Sequence, residues 1–284
     1  MVQKEFCWTT EDGVNIFGQL WQPVDETRAV VCLVHGLGEH SSRYKTLPRR
    51  LVDAGFALVA FDMRGHGKSG GKRGHTPSYK DMMDGISRLL GEASLRFPEK
   101  DLFLYGHSMG GNLVINYALR YKSHIKGVIA TGPWLRLSNP PGPCMIRVAK
   151  LLDRFWPSLR TWNGIKPKSL SHREKEKHSA KDPYMHPWIS MRTFVEVHEA
   201  GYYALRHAAD LRYPLLLLHG SEDNVTSAEA SREFARSAKD NCSIIIYEGL
   251  YHEVHNEPRN EEIFSDVVSW LDSNLSLADS STER

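Results

Sequence analysis

Strands that are buried on both faces of a parallel sheet read as unbroken apolar runs, not as alternating ones. This chain contains six such runs, at 29–34 (AVVCLV), 57–61 (ALVAF), 101–105 (DLFLY), 125–131 (IKGVIAT), 214–219 (PLLLLH) and 243–247 (SIIIY). Helical patterns separate them. Leu47, Leu51 and Val52 fall at helical spacing in 44–54, and Gly55 closes that helix. Met82, Met83, Ile86, Leu89 and Leu90 share one face of 79–95, and further helices are expected at 110–121, 227–237 and 261–275. Strand and helix in alternation specify an α/β fold: a mostly parallel central sheet with helices on both faces. The alternation stops between 133 and 207, a stretch rich in aromatics and prolines with no strand pattern. The expected organisation is therefore a core formed by 1–132 and 208–284, interrupted by an inserted, largely helical cap at 133–207. The polar tail from about 278 is expected to fray.

Gly106-His107-Ser108-Met109-Gly110 is the feature that carries chemistry. A serine hydroxyl becomes a useful nucleophile only when it is exposed, oriented and served by a base. A tight strand-to-helix turn exposes it, and glycines two residues to either side allow the turn. The α/β-hydrolase fold places its acid and then its base late in the chain. Asp223 lies just past the 214–219 run, and His252 just past the 243–247 run. Spacing from the strand ends favours Asp223 over its neighbour Glu222 as the acid, and His252 over His255 as the base. His35-Gly36-Leu37-Gly38 follows the first run and matches a segment that supplies half an oxyanion hole, with the N–H groups of Leu37 and Met109 as donors.

Other patterns carry less. Residues 65–70 (GHGKSG) spell G-x-G-x-x-G, but the next helix starts only near Tyr79, so no helix N-terminus faces a phosphate there. A structural loop tied by Asp62 and Arg64 is expected instead. His252 and His255 are three apart and lack a third ligand at a recognised spacing, so no metal is expected. With 36 Lys+Arg against 34 Asp+Glu, the net charge of +2 gives no electrostatic reason for a nucleic-acid partner. No leading apolar run or membrane span is present, and four cysteines (7, 32, 144, 242) form no CxxC pair. A reduced, cytoplasmic protein that meets membranes only peripherally is the expectation.

Within the insertion, 144–156 reads as an amphipathic helix with Met145, Val148, Ala149, Leu152 and Phe155 or Trp156 on one stripe. Trp134, Trp162, Met185, Trp188, Met191 and Phe194 add to it. Two readings stand side by side. These residues pack the insertion onto the core, or they enclose an apolar substrate pocket, with Met145, Val148, Leu152 and Trp188 as its candidate lining, and touch a membrane or micelle. The charged run 172–181 reads as a solvated face.

The segments 35–44 (HGLGEHSSRY), 61–74 (FDMRGHGKSGGKRG), 106–111 (GHSMGG), 219–226 (HGSEDNVT) and 251–257 (YHEVHNE) resemble the monoacylglycerol lipases and lysophospholipases of the α/β-hydrolase superfamily. The resemblance runs from about residue 10 to 275. It implies a triad of Ser108, Asp223 and His252, an oxyanion hole at Leu37 and Met109, a lipid-admitting cap and no metal or organic cofactor. The expected reaction is cleavage of a lipid ester through an acyl-enzyme on Ser108. Lysophospholipase, broad carboxylesterase or small-amide peptidase activity are its enzymatic alternatives, as is acyl transfer to another alcohol. A ligand receptor on a hydrolase fold is the non-enzymatic alternative.

Overall fold

The computed structural model describes residues 1–166, 169–172 and 182–279. Its sheet has eight strands in the order β1-β2-β4-β3-β5-β6-β9-β10. The six apolar runs form β3 (Val30–Val34), β4 (Ala57–Phe61), β5 (Leu102–His107), β6 (Ile125–Thr131), β9 (Leu215–Gly220) and β10 (Cys242–Tyr247), all mutually parallel. Every residue of β3, β4, β5 and β9 is buried, which is why they read as continuous apolar sequence.

Two strands precede them, β1 (Val2–Thr9) and β2 (Asn15–Gln22), antiparallel to each other, with β2 antiparallel to β4. The α-helices among the described residues are α1 (Thr46–Asp53), α2 (Tyr79–Arg96), α3 (Met109–Arg120), α4 (Pro143–Phe155), α5 (Met191–Arg206), α6 (Ala228–Ala238) and α7 (Asn260–Asp279). One apolar cluster joins α2, α3, α5 and α6 to one sheet face, and a second joins α1 and α7 to the other. The last helix runs through 278 to Asp279, where the sequence suggested fraying.

The connection from β6 to β9 holds the insertion. Its sequence suggested no strand, yet Arg160–Trp162 (β7) and Trp188–Ser190 (β8) form a short antiparallel ladder. Of the charged run 172–181, His172 is described and 173–181 lie outside the described residues. The aromatic insertion divides by burial: Trp134 and Met191 are buried, as packing onto the core requires, while Trp162 and Trp188 are exposed. On α4 only Ala149 is buried, so most of the apolar stripe does not pack onto the core. Residues 65–70 are a loop as expected: Asp62 accepts from the Lys68 N–H (2.8 Å) and from the N–H and hydroxyl of Ser41. Arg64 instead pairs with Asp12 at 2.6 Å.

Candidate active site

β5 delivers Ser108 and α3 carries the chain away from it. Ser108 has φ 54° and ψ −114°, a strained backbone for a residue with a side chain. The turn is possible because its neighbours are glycines. A Cβ on Gly106 would stand 2.3 Å from the Gly110 carbonyl oxygen, and one on Gly110 would stand 2.1 Å from that of Val34. The Ser108 N–H donates to the Thr131 carbonyl (2.9 Å), and the Ser108 carbonyl accepts from Trp134 N–H (3.0 Å). The bend is thus held from both sides.

Past β9, Asp223 is buried in a cage of donors. Its Oδ1 accepts from the N–H groups of Val225 (2.7 Å) and Thr226 (2.9 Å), and its Oδ2 from the Thr226 hydroxyl (2.8 Å). His252 Nδ1 lies 2.7 Å from Oδ2, and His219 Nε2 lies 3.0 Å from the same oxygen. Burial alone would raise the Asp223 carboxyl, but His252 and the hydrogen bonds of both imidazoles outweigh it and hold the group well below the carboxylate range. Burial likewise opposes a charged His252, yet Asp223 raises it above the ordinary histidine value. This is the electrostatic arrangement of a base that must become an imidazolium in mid-reaction.

The rival residues are placed elsewhere. Glu222 is exposed. His255 is buried, stacked on Tyr44 (ring centroids 4.8 Å apart) and edge-on to His107, and burial pushes it down to about 4. Two functional neighbours escaped the sequence reading, His219 and Thr226, both of which hold Asp223.

Leu37 and Ser108 face one cavity of about 750 Å³. The N–H of Met109, as the first residue of α3, has no acceptor within the helix. Gly36 fits beneath Ser108, since a Cβ there would be 3.2 Å from Ser108 Cβ, and its N–H donates to Glu39 Oε1 at 2.6 Å. The cavity wall includes Met145, Val148, Ala149 and Leu152 of α4, together with Ile189, Met191 and Phe194. Trp188 is not part of that wall: it is exposed, its ring lying 5.5 Å from the Arg160 guanidinium. Trp162 lines the cavity in its place, being the β7 residue paired across the ladder with Trp188.

Known proteins resemble the chain along most of its length. The family described as "Serine aminopeptidase, S33" matches residues 25–259. The chain is 34% identical to the monoacylglycerol lipase of Mycolicibacterium smegmatis, over 96% of this chain and 98% of that protein. It is 29% identical to human monoglyceride lipase, over 94% and 90% of the two chains. The crystal structure of the Paleococcus ferrophilus monoacylglycerol lipase superposes with a TM-score of 0.84 at 38% identity, covering 91% of this chain and 99% of that one. The chain belongs to this serine hydrolase family of the α/β-hydrolase fold, alongside its monoacylglycerol lipases.

Proposed function

We propose that the protein cleaves monoacylglycerols, with Ser108 as nucleophile, His252 as base, Asp223 as the acid that orients it, and the N–H groups of Leu37 and Met109 as oxyanion donors. Ser108 attacks the ester carbonyl as its hydroxyl proton passes to the His252 imidazole. The two N–H donors stabilise the oxyanion, and the proton then leaves with the glycerol oxygen as the C–O bond breaks. Water, deprotonated by His252, opens the acyl-enzyme and releases the fatty acid.

The observation that carries this reading is the cavity, whose wall combines Ser108 with the apolar side chains of α4 and α5. Each methylene buried there gains about 0.8 kcal/mol, so a long acyl chain supplies much of its own binding energy. Similarity to monoacylglycerol lipases supports the same substrate.

The segment 133–207 acts as a cap, and α4 is its lipid-facing edge. Met145, Val148, Leu151, Phe155 and Trp156 are each more than half exposed, and Arg147, Lys150 and Arg154 lie among them. Apolar and basic side chains in that mixture suit a membrane or micelle surface. Among the described residues no helix is long and apolar enough to cross a membrane, so the proposed contact is peripheral.

One observation favours a second substrate. Among the described residues, Lys166 is the single charged one lining the cavity, and its charge suits the phosphate of a lysophospholipid. The test is a matched panel of long-chain monoacylglycerol, diacylglycerol, triacylglycerol, lysophosphatidylcholine, lysophosphatidylglycerol and a short nitrophenyl ester, with wild type and Ser108→Ala. Wild type should prefer monoacylglycerol, and Ser108→Ala should lose at least about 10⁴-fold in kcat. Turnover retained by Ser108→Ala would overturn the nucleophile. A preference for lysophosphatidylglycerol would move the substrate class to the second reading.

A further inference from the structure

The insertion does more than border the cavity. It sets one foot on the loop that carries His252 and another on the loop that carries Leu37. At the first foot, the Leu170 carbonyl accepts from the Glu253 N–H at 2.7 Å. The His172 N–H donates to Glu257 Oε2 (3.0 Å), and its Nδ1 lies 2.9 Å from the same oxygen. The other oxygen of that fully buried carboxylate accepts from the Tyr251 N–H at 3.0 Å. The His172 ring also lies against Tyr251, with centroids 4.6 Å apart. Residues 170–172 therefore grip the chain immediately on both sides of His252.

At the second foot, the His186 N–H donates to the Gly38 carbonyl at 2.9 Å. Its own carbonyl oxygen sits so close over Gly38 that a Cβ there would be 2.4 Å away. Asp182 Oδ2 pairs with His40 Nε2 at 2.9 Å, and Tyr184 packs edge-on to the His40 ring. Met185 Sδ accepts from Arg43 Nη1 at 3.4 Å. Residues 182–186 therefore hold Gly38, His40 and Arg43, the positions that follow Leu37. The two gripped loops are joined beneath the insertion, because Arg43 Nη2 reaches both oxygens of Glu253 at 2.9 and 2.6 Å.

We propose that Leu170–His172 and Asp182–His186 are positioning elements: the insertion, seated on both feet, fixes the base loop and the oxyanion loop relative to Ser108. This rests on the triad and oxyanion assignments above. The physical reason is the tolerance of the chemistry. An oxyanion donor is worth on the order of 10²–10³ in kcat only when it is held at its short hydrogen-bond distance, and a misplacement of about 1 Å costs a similar factor. Leu37 is on a glycine-flanked loop with little covalent stiffness of its own, so its aim must come from neighbours. Asp182, acting through His40, and His172, acting through Glu257, supply that restraint from outside the core.

The test uses the short nitrophenyl ester, which leaves most of the acyl cavity empty, beside a long-chain monoacylglycerol. Asp182→Ala should lower kcat about tenfold on both esters, with KM changed by less than about twofold, and Asp182→Glu should restore most of the loss. His172→Gln should act in the same direction at the other foot, and it keeps the proposal testable if Asp182→Ala fails to fold. Unchanged kcat on the short ester, with a raised KM on the long one, would overturn the proposal and leave the insertion only as a wall for the acyl chain. If Ser108→Ala turned over the same esters, the triad assignment would fail instead, whatever the Asp182 variants did.

Discussion

Ser108, Asp223 and His252, the proposed triad, stand out in the sequence because each lies just beyond a strand, where side chains converge. Spacing also separated Asp223 from the exposed Glu222, and His252 from the ring-stacked His255. His219 was not recognisable. Its Nδ1 lies 2.9 Å from Ser231 Oγ on α6 and its Nε2 faces Asp223, partners that only the packed sheet and helix bring together. The pair geometry fixes the sign of the pH dependence. A base must start neutral, and Asp223 raises His252, so kcat/KM should fall as pH drops through a value above the ordinary histidine range of about 6.5. Asp223→Asn removes the raising charge, so the acid limb should shift to lower pH while kcat falls about 10³–10⁴-fold. A pH–rate profile of both proteins tests this; an acid limb unmoved by Asp223→Asn would refute the pairing. Thr226→Val removes a hydroxyl that donates to Asp223 or to the Gly132 carbonyl, a burial that should cost about 1–3 kcal/mol of stability, readable by denaturant unfolding.

At the scale of elements, the six parallel strands and helices α1, α2, α3, α4, α6 and α7 were legible in the sequence, while β1, β2, β7, β8 and α5 were not. β1 is an edge strand in which Trp8 alone is buried, and Lys4 interrupts the apolar alternation of Val2, Phe6 and Trp8 in its sequence VQKEFCWT. α5 buries Met191, Val195 and Val197 together with the small residues Thr193, Ala200, Gly201 and Ala204. A Cβ on Gly201 would lie 2.3 Å from the Leu135 carbonyl oxygen, and Asn112 and Asn116 of α3 donate to the carbonyls of Val197 and Ala200. Close approach through Ala, Gly and Asn weakens the apolar signal that Met191, Val195 and Val197 leave in the sequence. α4 is the converse case, with a clear stripe in sequence and a largely exposed one in the fold. Phe155 and Trp156 at its end are 76% and 60% exposed and lie outside the cavity wall, which separates surface binding from substrate binding. Phe155→Ser with Trp156→Ser should weaken sedimentation with anionic vesicles and slow hydrolysis of micellar monoacylglycerol several-fold, while hydrolysis of a soluble short ester stays the same. Undiminished vesicle binding would remove α4 from the proposed membrane contact.

Across the whole molecule, a site assembled from both ends of the chain needs a tie between them, and Arg43 supplies it. Its guanidinium lies between two buried carboxylates, with Glu253 at 2.6 Å from Nη2 and Glu39 at 3.3 Å from Nε. Glu39 in turn accepts from the Gly36 N–H and the Tyr44 hydroxyl (2.7 Å), so residues 36–44 are locked to the 251–257 turn more than 200 positions away. The sequence displayed all three charges but not their meeting, because nothing in local pattern reports a contact over that separation. Burial raises Glu39, with Glu253 adding to the rise and Arg43 opposing it; for Glu253 burial also acts upward, but Arg43 and its other partners outweigh it. Arg43→Met would leave two buried carboxylates facing each other, at a cost of about 3–5 kcal/mol and a drop in Tm on the order of 10 °C. The pH dependence of that loss identifies its cause. Without Arg43 both carboxyls would titrate above their unfolded value of about 4.3. The folded variant is then favoured below that value and loses stability as pH rises through the raised ones. The Tm gap between wild type and Arg43→Met should therefore narrow as pH is lowered from 8 to 5, and a gap that stayed constant would mean that the loss comes from packing and not from uncompensated charge.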